Sequence, residues 1–214
     1  MPDHIKVFCG PDDNSLPHLY FEEAGEFLVG VDSGLDFMVE NHLAIDLAIG
    51  DFDSVKPENL QKALQTARQV IRLDPAKNIT DLAYAIDYLY NSMEYRTITV
   101  YGGIAGRIDH FLANLNLLKK YDLCFRDGHT VMYALRKGRH RIENFHRYVS
   151  FFAIEDAFDV TLEGFAYELD HYYLGTDDSL CVSNGGSGEI AFSKGRILVI
   201  MTDDPFPTNR QKHK

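Results

Sequence analysis

The densest group of residues able to do chemistry is Gly50-Asp51-Phe52-Asp53-Ser54, which follows the short β-prone run Leu47–Ile49. In an extended stretch Asp51 and Asp53 project to one side and Phe52 to the other. Two carboxylates on one side repel each other unless a cation lies between them. Magnesium fits, because it takes hard oxygen ligands and prefers one or two carboxylates together with substrate phosphates. The same residues also suit a turn in which Gly50 supplies a tight bend and an aspartate caps a helix. Asp32-Ser33-Gly34 follows the run Phe27–Val31, and Asp74 follows Val70–Leu73. These acids collect at strand ends, where ligands of α/β sheets bind.

Two further segments offer positive charge and backbone N–H groups to an anion. Lys77-Asn78-Ile79-Thr80-Asp81 opens a helical pattern. A helix N-terminus is a natural phosphate site, Lys77 adds a point charge and Thr80 a hydroxyl. Gly102-Gly103-Ile104-Ala105-Gly106-Arg107-Ile108-Asp109-His110 follows the run Thr97–Tyr101. Gly102, Gly103 and Gly106 between a strand and a helix let main-chain N–H groups approach a phosphate, and Arg107 can pair with its oxygens in a bidentate way. No glycine is followed by lysine, which excludes a P-loop, and no G-x-G-x-x-G fingerprint is present.

The elements that must position these residues read differently in the two halves of the chain. Residues 1–127 alternate short apolar runs with helical patterns, which predicts βαβ units and a mainly parallel sheet with helices on both faces, a three-layer α/β domain. After Thr80, Leu82, Ala85, Ile86 and Leu89 follow the spacing of one buried helix face, with Thr80 as cap. After Gly106, Ile108, Phe111, Leu112 and Leu115 repeat that spacing, leaving Arg107, His110 and Asn114 on a polar face. Residues 128–214 hold β-branched and aromatic runs separated by turn-prone stretches, which predicts an all-β sandwich. These runs are Thr130–Leu135, Arg147–Ile154, Phe158–Leu162, Ile190–Phe192 and Ile197–Met201, and the polar tail from Pro205 is expected to fray.

The chain has 214 residues and a formal net charge of −11. Such acidity excludes a general attraction for nucleic acid or an anionic bilayer, so an anionic ligand must find its positive charge locally. Cys9, Cys124 and Cys181 are scattered and odd in number, which argues against a disulfide framework or a zinc site and for a cytoplasmic location. The start lacks a signal-peptide core, and no apolar run is long enough to span a bilayer.

With these residues in view, the chain resembles the thiamine pyrophosphokinase family. The matching segments are Asp32 to Gly34, Gly50 to Ser54, Lys77 to Asp81, and Gly106 to His110 followed by Ala113-Asn114, in the family's order. Gly164-Phe165-Ala166-Tyr167-Glu168-Leu169 and Val182-Ser183-Asn184 look like its thiamine-binding segments. The resemblance implies transfer of the pyrophosphate of ATP to the hydroxyl of thiamine, giving thiamine diphosphate and AMP. It implies that residues 1–127 bind ATP and magnesium, that residues 128–214 bind thiamine, and that a homodimer holds thiamine at its interface. Asp51 and Asp53 would be the metal centre, with Asn78 where the family usually has aspartate, so that either the metal load shifts to Asp74 or Asp81 or one site is weaker. Asp32, Ser33, Lys77, Asn78, Thr80, the three glycines and His110 would surround ATP, and Arg107 and Asp109 would hold ATP or position the metal. Tyr167 would stack on thiamine, and Ser183 and Asn184 would contact its pyrimidine. For the chemistry itself, an aspartate near the hydroxyl, Asp81 or Asp109, could accept its proton, the alternative being that no specific base is needed. A further departure is Ala105, where the family usually has glycine. The acidic site alone would equally serve another magnesium-dependent nucleotide hydrolase or pyrophosphokinase, and a non-catalytic nucleotide or thiamine sensor would bind without releasing AMP.

Overall fold

The structure, a computed structural model, describes residues 2–10 and 16–204, so the expected fraying of the tail lies outside the described residues. Contacts divide the chain into two compact units, Met1–Gly128 and His129–Lys214. The first unit contains strands β1 (His4–Cys9), β2 (Glu26–Val31), β3 (Leu47–Gly50), β4 (Gln69–Arg72), β5 (Thr97–Tyr101) and β6 (Cys124–Arg126). Its helices are α1 (Leu16–Leu19), α2 (Gly34–Glu40), α3 (Pro57–Thr66), α4 (Asp81–Ser92) and α5 (Ile108–Lys120). The strands lie side by side in the order β4-β3-β2-β1-β5-β6, all parallel.

The apolar runs follow from burial on both faces of this sheet. Phe8, Leu28 and Ala48 pack under Leu35, Phe37 and Met38 of α2 and Ala63 of α3. On α4, Leu82, Ala85, Ile86 and Leu89 are buried, as the spacing predicts, and this helix touches β2 and β3. From β1 to β4 the chain steps outward in one direction, then crosses back to place β5 on the other side of β1. That reversal opens a crevice at the carboxyl ends of β1 and β5.

α5 departs from the expected face. It buries Asn114, Leu117 and Leu118, whereas Ile108 and Leu112 are 71% and 55% exposed. The reason is Asn114, whose Nδ2 donates to the Gly103 carbonyl at 2.8 Å in the interior. A buried carbonyl needs a donor, and satisfying it turns the polar edge of the helix inward.

The second unit is an antiparallel sheet in the order β7-β10-β8-β9, made of β7 (Thr130–Ile142), β8 (Tyr148–Glu163), β9 (Leu169–Leu174) and β10 (Gly188–Thr202). Runs that read as separate short strands are continuous here: Arg147–Ile154 and Phe158–Leu162 belong to β8, and Ile190–Phe192 and Ile197–Met201 belong to β10. The register slips between Phe192 and Arg196, with Gly195 at φ +98. Such bulges bend a strand. Ile142, Leu162 and Ile190 on one side of the bend share one core with Val149, Phe151, Ile197 and Val199 on the other. The sandwich is therefore formed by long strands folding over their own core.

Gly34 opens α2 so close to β1 that a Cβ there would lie 2.0 Å from the Phe8 carbonyl oxygen. Gly34→Ala should therefore lower stability by about 2 kcal/mol, seen as a lower denaturant midpoint with an unchanged slope.

Candidate active site

Three acids meet at the carboxyl edge of the first unit's sheet. Asp32, Asp51 and Asp81 each offer a carboxylate oxygen within 4.8 Å of the others. Asp32 follows β2, Asp51 follows β3 and Asp81 opens α4, so parallel pairing of β2 with β3 brings the first two together. Asp32 sits at φ +46 and Phe52 at φ +66, a left-handed conformation costly for side chains with a Cβ. The Phe52 N–H donates to Asp32 Oδ1 at 3.3 Å, and a Cβ on Gly50 would collide with that carboxylate. Both turns are thus shaped around Asp32.

This geometry differs from the extended reading of Asp51 and Asp53. The left-handed Phe52 breaks the alternation, and the Asp53 N–H donates to Asp51 Oδ1 at 3.1 Å. Asp53 is exposed on that turn and stands outside the group of three, and Asn78 is likewise exposed. Asp74 also faces solvent, with Oδ1 accepting the Ala76 N–H at 2.8 Å. Asp81 takes the third place.

Burial, and then the charge of Asp81, pushes the Asp32 carboxyl up to about 7, with Asp51 adding to it. Lys77 partly offsets this repulsion. Its Nζ lies 2.8 Å from Asp81 Oδ1 and 3.9 Å from Asp51 Oδ2. Burial disfavours the Lys77 charge, but its ion pairs outweigh burial and raise its pKa. Thr80 caps α4, its hydroxyl oxygen accepting the Ala83 N–H at 3.2 Å. A cluster of hard oxygens with one acid pushed toward neutrality fits a small divalent cation.

Across the crevice lies the glycine-rich turn. Gly102, Gly103 and Gly106 have φ of +87, +74 and +88, so each needs the freedom of glycine. Ala105 is not among the left-handed residues, so its methyl group imposes no strain. Arg107 pairs with Asp109 through two bonds, at 3.1 and 2.6 Å, on the exposed side. The Arg107 guanidinium pulls the Asp109 carboxyl down to about 2. Asp109 also accepts the His110 N–H at the start of α5.

A cavity of about 450 Å³ joins these parts. Of the residues expected to bind ATP, Asp32, Ser33, Thr80, Gly103, Gly106, Arg107 and His110 line it, together with Asp81. Cys9, Gly10, Ser54 and Asn114 also line it; none was assigned to ATP, although Ser54 and Asn114 stand in the matching segments. Gly10 is signalled only by its place at the end of β1, where a Cβ would strike Ser33 Oγ. Cys9 is no nucleophile, since burial pushes its thiol up to about 12.

In the second unit Tyr167 is 72% exposed and Asn184 only 2%. Ser183 is left-handed at φ +59, and its N–H donates to Ser150 Oγ at 2.9 Å.

Residues 19–131 match the family described as thiamin pyrophosphokinase, catalytic domain, and residues 139–197 match thiamin pyrophosphokinase, vitamin B1 binding domain. The thiamine pyrophosphokinase of Bacillus subtilis is 29% identical, over 94% of this chain and 99% of that one. The crystal structure of thiamine pyrophosphokinase from Bacillus subtilis superposes with a TM-score of 0.84 at 28% identity, covering 94% of this chain and 99% of that one. That of thiamin pyrophosphokinase from Geobacillus thermodenitrificans gives 0.81 at 28% identity, covering 96% and 99%.

A carboxyl raised to about 7 by folding stabilises the protein below its ordinary pKa of 3.8, and that contribution is lost as pH rises through about 7. Asp32→Asn should therefore gain on wild type in metal-free thermal stability between pH 5 and pH 8. Divalent cation at pH 8 should restore wild type and leave Asp32→Asn unmoved. Parallel pH profiles of the two proteins would contradict this electrostatic account.

Proposed function

The chain belongs to the thiamin pyrophosphokinase family, and from that premise we propose how its residues share the transfer of pyrophosphate from ATP to the hydroxyl of thiamine. The observation that carries the reading is the convergence of Asp32, Asp81 and the turn ending in Arg107 on one cavity. The first unit takes ATP. The amides of Gly103 and Gly106 face the phosphates, and Ser33, Lys77, Thr80 and His110 complete their surroundings. Asp32, Asp51 and Asp81 would hold magnesium, with Asp53 and Asn78 exposed outside that group. Magnesium held there would supply neutralising charge to the phosphate oxygens.

Arg107 is exposed and presented by Asp109, so its guanidinium is available to pair with phosphate. Asp109, held ionised by Arg107, is a weak proton acceptor, and its part is to orient that guanidinium. Asp81, paired with Lys77 and one of the three acids that would hold the metal, is no better a base, and the hydroxyl proton needs no specific side-chain acceptor in this reading. Thiamine binds on the second unit, where exposed Tyr167 offers a stacking face and Ser183 immediately precedes Asn184, whose side chain bonds the Tyr167 main chain. Exposed apolar residues on each unit, Ile108 and Leu112 on one and Leu180 and Val182 on the other, support a homodimer. The three free cysteines support a cytoplasmic location.

Incubation with ATP and magnesium should yield equimolar AMP and thiamine diphosphate only when thiamine is present. AMP released without thiamine would indicate a hydrolase instead. Asp51→Asn should lower kcat by roughly 100-fold or more, and near-wild-type turnover at saturating magnesium would remove Asp51 from the metal site. Sedimentation of the purified protein should give a dimer.

A further inference from the structure

Asn184 carries an amide that is committed at both ends. Its Oδ1 accepts the N–H of Tyr167 at 2.9 Å and the N–H of Gly185 at 2.9 Å, and its Nδ2 donates to the Tyr167 carbonyl at 2.7 Å. The side chain is 2% exposed, with both acceptor positions of its oxygen used, so it has little left to offer a ligand. The ring that it serves is 72% exposed. One residue thus satisfies both main-chain polar groups of Tyr167 and leaves its aromatic face free.

The surrounding segment is braced in the same direction. Ala166 N–H donates to the Gly185 carbonyl at 2.9 Å, and Gly164 N–H donates to Glu168 Oε1 at 2.8 Å. Phe165 is buried edge-on against Phe151, with centroids 5.3 Å apart. Asn184 is itself fixed to β8, because its carbonyl accepts the Val149 N–H at 2.9 Å. A loop aromatic that must be ordered on binding weakens affinity by the freedom it loses, and one held beforehand does not.

We infer that Asn184 is a positioning residue for thiamine: it clamps the Tyr167 main chain so that the exposed ring is a preformed stacking platform, and it does not touch the substrate. This rests on the reading that Tyr167 faces thiamine. The inference moves Asn184 away from the direct pyrimidine contact that the resemblance implied.

The chain contains no tryptophan, so Tyr167→Trp introduces a sole indole reporter at the platform. Thiamine should quench its fluorescence, and adding Asn184→Ala should raise the thiamine concentration needed by roughly tenfold. In the Tyr167-containing protein Asn184→Ala should raise thiamine KM by roughly tenfold while kcat and the KM for ATP stay within about twofold. In a Tyr167→Ala background the same change should add nothing, because the group it positions is gone. An undiminished penalty in that background would mean direct contact and overturn the inference. So would an unchanged KM for Asn184→Ala when the introduced tryptophan is quenched. No quenching in Tyr167→Trp, together with wild-type thiamine KM for Tyr167→Ala, would sink the underlying reading of Tyr167 instead. If Asn184→Ala does not fold, Asn184→Asp keeps the two acceptor bonds and loses the donor. It then goes through the same comparison, and each result carries the same meaning.

Discussion

Three carboxylate oxygens within 4.8 Å of one another repel, and the first unit is built to contain that repulsion. Without a metal, one acid moves toward neutrality and a lysine leans in, as Asp32 and Lys77 do. Much of the local architecture follows from placing these acids. Parallel pairing of β2 with β3 sets Asp32 beside Asp51, the capped start of α4 delivers Asp81, and two left-handed residues turn the chain tightly enough for them to meet. The net charge of −11 makes the arrangement more demanding, since the remaining surface supplies no general attraction for a phosphate. Under the proposed function, the glycine-rich turn and Arg107 supply that attraction at one rim.

How far the sequence could be read depended on how local the cause was. The strands of the first unit and the cap at Thr80 follow from nearest-neighbour chemistry, and they appear where the residues put them. Pairing Asp51 with Asp53 assumed an extended chain, and a single left-handed residue, Phe52, undid it. Joining Asp51 to Asp32 and Asp81 requires knowing which strand lies beside which, which no short window contains. Asn114 is a similar case: its polarity placed it outward, yet the Gly103 carbonyl, eleven positions away, draws it in.

The second unit shows the same limit in its strands. β-Branched and aromatic runs located the paired segments of β8 and β10, but the bends between them read as turns. A bulge keeps pairing on both sides of an irregularity, and its signal is carried by Gly195 and the left-handed Asp159 rather than by hydrophobic pattern. Burial then decides what an amide does. The resemblance set Asn184 against the thiamine pyrimidine, and its side-chain bonds run to the Tyr167 main chain.

Phe52 has a consequence for how this chain can change. Its φ of +66 would suit glycine, and relieving such strain is an ordinary route to a more robust protein. Here that route is closed. The ring is 3% exposed, belongs to the core beneath α2 and α3, and lies under the guanidinium of Arg72. A glycine would exchange backbone strain for a hole in the core, and an apolar residue of similar bulk would keep the strain. Sequence drift at this position is therefore caught between two penalties, and the acidic turn keeps its shape even if selection on activity is relaxed.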